Sequence, residues 1–358
     1  MTKRSCLILG DYINAWSLQA GLKRLGYQAQ TLPRERYDSA ALSAPRDAVL
    51  FFTDEAGWTH AVQGGVSARF LPRAYSPVLI DKLLFAEHLC AIGETPVPFA
   101  PLDTASTTLF KPPFVLKTRL SWMGGRKLPR GAICHTQEQA AQAIAALEAQ
   151  GISRELLFAQ QFLPDAENLS IAGFYDCRRP ERRFFIATRK VLGDGGALNT
   201  GVLVETVSLP PELGKRVAYI LDTLAYHGPF EMEFLYDEKS CQHLVLELNP
   251  RFWMQHGLFL AGYENTLIRA YLDEHFVCPL PVDEGYLLPF KPLFWVDRCY
   301  PFVAIAKGAL APLRNYLRLI RDARRRGYRL CGFPEWSRAL RFAARQSTRR
   351  VRRLQRER

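Results

Sequence analysis

Two runs in the second half of the chain restrict its fold more than any other stretch. They are Phe230-Glu231-Met232-Glu233-Phe234-Leu235-Tyr236 and Leu244-Val245-Leu246-Glu247-Leu248-Asn249-Pro250-Arg251-Phe252-Trp253. Each alternates apolar or aromatic residues with polar ones about the turn-rich connection Asp237–Gln242, the pattern of paired β-strands. In each run a carboxylate interrupts apolar sequence, which is costly unless a cation or hydrogen bonds satisfy it. Glu247 and Asn249 are two apart and so point to one side of an extended chain, and in a hairpin Glu233 can share that side. Two carboxylates and an amide oxygen form an all-oxygen set suited to Mg²⁺. Arg251 continues the alternation and brings a permanently charged, planar donor beside them.

Glu233 followed by Glu247-x-Asn249-x-Arg251 resembles the metal-binding signature of the ATP-grasp ligases. The longer run from Tyr226-His227-Gly228-Pro229 to Asn249-Pro250-Arg251-Phe252-Trp253 is similar to their predicted carboxylate–amine ligase branch. A buried hairpin with two salt-bridged glutamates is the plainer alternative for such a pattern. The resemblance implies two α+β lobes clasping ATP, preceded by a small open α/β unit; the residues after them add a basic helical tail. It spans residues 78–275 and implies Glu233, Glu247 and Asn249 as metal ligands, with Mg²⁺ or Mn²⁺ as the cation.

The 358 residues allow two or three compact units, and 48% hydrophobic with 23% charged residues is ordinary for a globular protein. The apolar run near the start ends at Gly10-Asp11, too short for a signal peptide or a membrane span. Eight dispersed cysteines without a C-x-x-C pair read as free thiols in a reducing cytoplasm. The net charge of +12 is local: residues 311–358 hold sixteen arginines and three acids, leaving the rest nearly neutral. Nucleic-acid binding by the main body is therefore not implied.

Taken in order, residues 1–77 read as the open α/β unit, with strands at Cys6–Leu9 and Ala48–Phe52 and a helix over Trp16–Leu25. Its first turn lacks G-x-G-x-x-G, so dinucleotide binding is unsupported. Residues 78–163 would form the first lobe. Asp81 is a suitable cap for a helix ending at Gly93 and Pro96-Val97-Pro98. The resemblance puts Lys82 near nucleotide phosphates, against the alternative of a surface lysine. Lys117 sits in the apolar strand Phe114–Thr118 and needs an anion; the resemblance assigns it to the α- and β-phosphates. Gly124-Gly125 with flanking cations resembles the loop that closes over the triphosphate, and no Walker-type motif is present. Gln137–Gln150 reads as a helix and Leu156–Leu163 as a strand. This strand resembles the linker between the two lobes, and the resemblance puts main-chain groups near Gln161 and Leu163 against adenine, with Glu167 as the ribose carboxylate and Asp165 as its competitor.

Residues 164–275 would be the second lobe, with strands Leu169–Tyr175 and Arg183–Val191 and helices Pro211–Leu224 and Asn265–Leu272. Arg189-Lys190 precedes the loop Gly193–Gly201; on one strand the two diverge, so only one faces a site, and Lys190 ranks first. The residues after this pair depart from the branch's usual pattern, which leaves the substrate open. His227 and His256 read as structural. Residues 276–310 read as a proline-rich covering segment, and 311–358 as two basic amphipathic helices or a solvated arm. Such a tail suits an anionic membrane surface or nucleic acid.

The implied activity is ATP-dependent activation of a carboxylate as an acyl phosphate and its capture by an amine, with Arg251 at the oxyanion and Arg189 or Lys190 at the substrate. Partners are then ATP and small carboxylate and amine substrates, with a homo-oligomer left open. The rival from another class is a catalytically silent ATP-binding scaffold docked through its tail.

Overall fold

In the computed structural model the described residues form four sheets. The structure describes residues 5–10, 12–34, 37, 48–63, 76–102, 111–123, 126–164, 166–194, 200–306, 308–333, 339 and 340. In the first unit, β1 (Cys6–Leu9) lies between β2 (Ala29–Leu32) and β3 (Val49–Phe52), all parallel, with α1 (Ile13–Arg24) connecting β1 to β2 and α2 (Glu55–Gln63) following β3. β1 and β3 are apolar throughout because both their faces are covered, whereas the edge strand β2 carries Gln30 and Thr31. Gly10 ends β1 at φ +143°, and a Cβ there would lie 1.8 Å from Thr53 Oγ1, so only glycine fits this turn.

Next, α3 (Lys82–Ala91) starts where the Asp81 carboxylate accepts the Leu83 and Leu84 N–H groups. A four-stranded antiparallel sheet follows, in the order β4 (Phe99–Pro101), β9, β5 (Phe114–Thr118), β8. The short hairpin β6 (Trp122–Met123) and β7 (Arg126–Lys127) precedes β8 (Gly131–Cys134). Then come α4 (Gln137–Glu148) and β9 (Leu157–Gln161). Thr136 caps α4 by accepting the Gln139 N–H, while the Gln139 side chain accepts the His135 N–H. Ala140, Ile144 and Leu147, at helical spacing, seal this lobe's core against Phe114, Leu116, Leu157 and Ala159.

The remaining strands make one seven-stranded sheet. They begin with β10 (Glu167–Asp176), β11 (Phe184–Gly193) and β12 (Gly201–Val207). After α5 (Pro211–Thr223) come β13 (His227–Asp237) and β14 (Gln242–Asn249). Helices α6 (Gly257–Gly262) and α7 (Thr266–Leu272) lead to β15 (Leu293–Asp297), then α8 (Tyr300–Ala306), α9 (Leu310–Arg325) and β16 (Arg329–Phe333). The order is β14-β13-β10-β11-β12-β15-β16. Alternate residues feed different cores: Ile171 and Tyr175 pack with α5, whereas Ala172 and Phe174 pack with α6 and α7. The first unit joins both cores. Its Leu50 and Phe52 enter one, Val49 and Phe51 the other, and Phe252 N–H bonds Phe52 O at 3.1 Å.

Two expectations for the C-terminal part are corrected. The covering segment supplies β15, paired with β12 from Leu203–Val296 to Glu205–Phe294. The beginning of the tail is not a free arm: the first expected helix forms as α9, which packs Tyr316 and Ala323 against Phe294 and Val296, and β16 pairs in parallel with β15. Parallel neighbours need a helical crossover, and α8 and α9 provide it. Most of 334–358 lies outside the described residues.

Candidate active site

The β13–β14 register places Glu231 opposite Asn249 and Glu233 opposite Glu247, with a bulge just after Glu233. Period-two alternation puts all four on the face that lines a cavity of about 1400 Å³. Asn249 Nδ2 donates to Glu231 Oε2 at 3.1 Å and to Glu233 Oε1 at 3.3 Å. From β10, Asn168 Nδ2 donates to Glu233 Oε2 at 3.3 Å. Burial pushes the Glu231 carboxyl up to about 8, with the adjoining Glu233 charge adding to it. Burial also raises Glu233, helped by Glu247 and opposed by Lys190. Glu247 is the exception: burial would raise it, but Lys117 and Lys82 hold it below the usual carboxylate range.

Carboxylates crowded this way accommodate a hard divalent cation, and the oxygen-only donor set fits one. Among the described residues, no three His, Cys, Asp or Glu side chains are gathered closely enough to hold a metal alone. A cation here would take Glu233, Glu247 and Asn249 and share its other positions with substrate oxygens.

Lys117, next to last on β5 and only 7% exposed, approaches from the four-stranded sheet. Burial lowers its pKa, against the pull of Glu247 and Glu233. Lys82, the first residue of α3, also lines the cavity, and its Nζ donates to Ser121 Oγ at 2.9 Å. Asp81 both caps α3 and receives Arg119 at 2.8 and 3.0 Å, tying the helix to the end of β5. Gln161, Phe162 and Leu163 line the cavity, but the Gln161 N–H is already bonded to Pro98 O at 2.8 Å. That main-chain donor is therefore withdrawn from the role expected of it. Gly124, Gly125 and Asp165 lie outside the described residues.

The Arg189–Lys190 pair diverges, as a strand requires. Lys190 lines the cavity with Nζ 4.0 Å from Glu233 Oε2. Arg189 turns to the opposite face, where it binds Glu205 and donates to Glu167 Oε1 at 2.7 Å. Glu205 is buried and also receives Arg326 at 2.8 Å, so two arginines neutralise one buried acid. Arg189 as a substrate contact and Glu167 as a ribose ligand are thus both corrected: each is the other's ion-pair partner, and Asn168, the next residue, faces the cavity instead. His256 is core, its Nδ1 2.6 Å from Trp253 O, and His227 lies 3.3 Å from Asp176.

Three acids escaped the sequence reading. Glu231 was within reach of it, being two residues from Glu233. Glu55, at the start of α2, meets Arg251 Nε at 3.0 Å, and Arg251 Nη2 donates to Asn249 Oδ1 at 3.1 Å. Burial would raise Glu55, but Arg251 and Lys82 outweigh it and hold the carboxyl at about 2. Nothing local announces a partner 196 positions away. Asp297, ending β15, lines the cavity at 4% exposure with its Oδ1 accepting the Cys299 N–H at 2.7 Å. Among the described residues it has no ion-pair partner, and burial, with Asp194 adding, raises it to about 7.

A scan against protein-family models finds no match, and neither does a search of curated proteins. Solved structures do match. Carboxyaminoimidazole ribonucleotide synthase from Aspergillus clavatus, complexed with ATP, superposes with a TM-score of 0.59 at 17% identity, over 82% of this chain and 81% of that one. N5-carboxyaminoimidazole synthetase from Staphylococcus aureus gives 0.58 at 12% identity, over 81% of each chain. This is the ATP-grasp fold. L-amino acid ligase from Bacillus licheniformis gives 0.51 at 11% identity, over 70% and 67% of the chains. The cavity is lined by residues of both the four-stranded and the seven-stranded sheet.

Proposed function

We propose that this chain is an ATP-dependent ligase that activates a carboxylate as an acyl phosphate and joins it to an amine. One observation carries the reading: Glu233, Glu247 and Asn249 from one lobe share a cavity with Lys117 and Lys82 from the other. At about 1400 Å³ it exceeds the volume of an ordinary single-ligand pocket, so a nucleotide and further substrates can be held together. The neighbours crystallised with ATP, and with ADP and 5-aminoimidazole ribonucleotide, support the same reading.

Mg²⁺, held by Glu233, Glu247 and Asn249, would supply charge neutralisation and orientation at the phosphates. Lys117 and Lys82 offset the negative charge of the phosphoryl oxygens, and Lys117 is already desolvated for the task. A substrate carboxylate oxygen bonds the γ-phosphorus as the bond to the ADP oxygen breaks. The amine nitrogen then bonds the acyl carbon, phosphate leaves with the bonding pair, and the nitrogen loses a proton. Arg251, fixed by Glu55 and Asn249, faces the cavity and offers a rigid donor to the oxyanion of that second step. Lys190 adds a cation on the same wall.

The test is ADP release in Mg²⁺ and ATP with pooled amino acids and other carboxylates and amines. A pool-dependent signal that Glu247→Gln abolishes supports the proposal. ATP binding with no release from any pool would favour a silent nucleotide-binding protein.

A further inference from the structure

The outer face of α9 plays no part in the chemistry above. Leu310, Arg314, Leu317, Arg321 and Arg324 recur three or four residues apart and therefore form one stripe along the helix. All five are exposed, with Leu310 at 59% and Leu317 at 56%, and Tyr316 and Ala323 anchor the opposite face. Ile305, at the end of α8, adds a third aliphatic side chain at 58% exposure. The acid on α9 is Asp322, which serves Arg318 at 3.4 Å and Arg325 at 3.9 Å. Arg314, Arg321 and Arg324 have no carboxylate partner among the described residues.

We propose that this stripe docks on an anionic lipid bilayer surface, with Leu310, Leu317 and Ile305 entering the headgroup boundary and the arginines meeting lipid phosphates and carboxylates. Charge complementarity selects a polyanionic partner. The aliphatic side chains then separate the candidates: a nucleic-acid backbone would leave them in water, whereas an interfacial helix buries them while long arginines reach outward. Among the described residues no helix is long and apolar enough to cross a membrane, so the contact is with the surface. Ala311, Pro312 and Asn315, off the stripe on the same helix, line the cavity, so docking would leave the cavity on the side of α9 turned away from the bilayer. The stripe would dock in this way whether or not the cavity performs ligation.

The experiment is co-sedimentation of the full chain with phosphatidylcholine vesicles, with and without phosphatidylserine. It uses the wild type, the double variant Leu310→Asp/Leu317→Asp and the double variant Arg314→Gln/Arg321→Gln. Unchanged circular dichroism would verify that both variants fold, as expected for exposed positions. The wild type should bind the anionic vesicles and not the neutral ones, and each variant should weaken binding at least about tenfold. Absence of anionic-vesicle binding, or binding that the leucine variant leaves intact, overturns the proposal. Binding of a single-stranded RNA oligonucleotide without binding of the vesicles overturns it as well.

Discussion

Asp297 offers a clean test of how burial governs charge in this molecule. Burial, with the Asp194 charge adding to it, pushes its carboxyl up to about 7, against an ordinary value of 3.8, and among the described residues no cation pairs with it. The folded chain therefore binds more protons than the unfolded chain between those two values, and stability must fall as pH rises through that window. The ionised group costs about 4 kcal/mol at about pH 8, from a shift of about three units at 1.36 kcal/mol each. At about pH 5 only about 1.6 kcal/mol of that is present. Asp297→Asn removes the titration while keeping an oxygen to accept the Cys299 N–H. Urea unfolding of both proteins across this range should show the variant gaining on the wild type by about 2–3 kcal/mol, with a plateau above about pH 8. Parallel stability curves would show instead that the carboxyl is solvated or paired in the fold, and the burial argument would fail.

The divergence of Arg189 and Lys190 predicts different phenotypes. Lys190→Ala should lower ligase turnover with little change in unfolding midpoint. Arg189→Ala should chiefly destabilise, because Glu205 loses one of its two arginines. The reverse pattern in turnover and urea midpoint would show the two faces to be misassigned. Arg182 and Asp176 are 2% and 3% exposed, and Arg182 also donates to Ala270 O at 2.6 Å. Arg182→Met should therefore cost about 3–5 kcal/mol in urea unfolding, and a loss under about 1 kcal/mol would contradict the buried-pair assignment. Glu55→Gln should loosen Arg251 and slow amine capture more than nucleotide binding, read as turnover against ATP affinity.

Much of the site was legible because strand alternation is a local signal. Glu233, Glu247 and Asn249 share a face for reasons visible within some twenty residues, and Asp81 announced its helix by its position alone. What escaped depends on long-range pairing. Arg251 finds Glu55 through the packing of the first unit on the large sheet. Arg189 is diverted by a buried acid on β12 and its counterpart on β10. β15 is a short apolar run among prolines, and β16 carries arginine, cysteine and glycine, so neither had a clear strand period. For α9, two buried residues, Tyr316 and Ala323, anchor an otherwise basic helix, too few for its inner face to be read from spacing.

If the acidic face of β13–β14 and the lysines of the opposite lobe make one Mg²⁺-nucleotide site, the metal and the nucleotide must bind together. Titration of ATP into the wild type and Glu247→Gln, each with and without Mg²⁺, reads that coupling. Mg²⁺ should tighten ATP binding at least about tenfold in the wild type and not in the variant, whose circular dichroism should be unchanged. Wild-type binding indifferent to Mg²⁺, or an equal Mg²⁺ effect in both proteins, would mean that these residues do not form such a site.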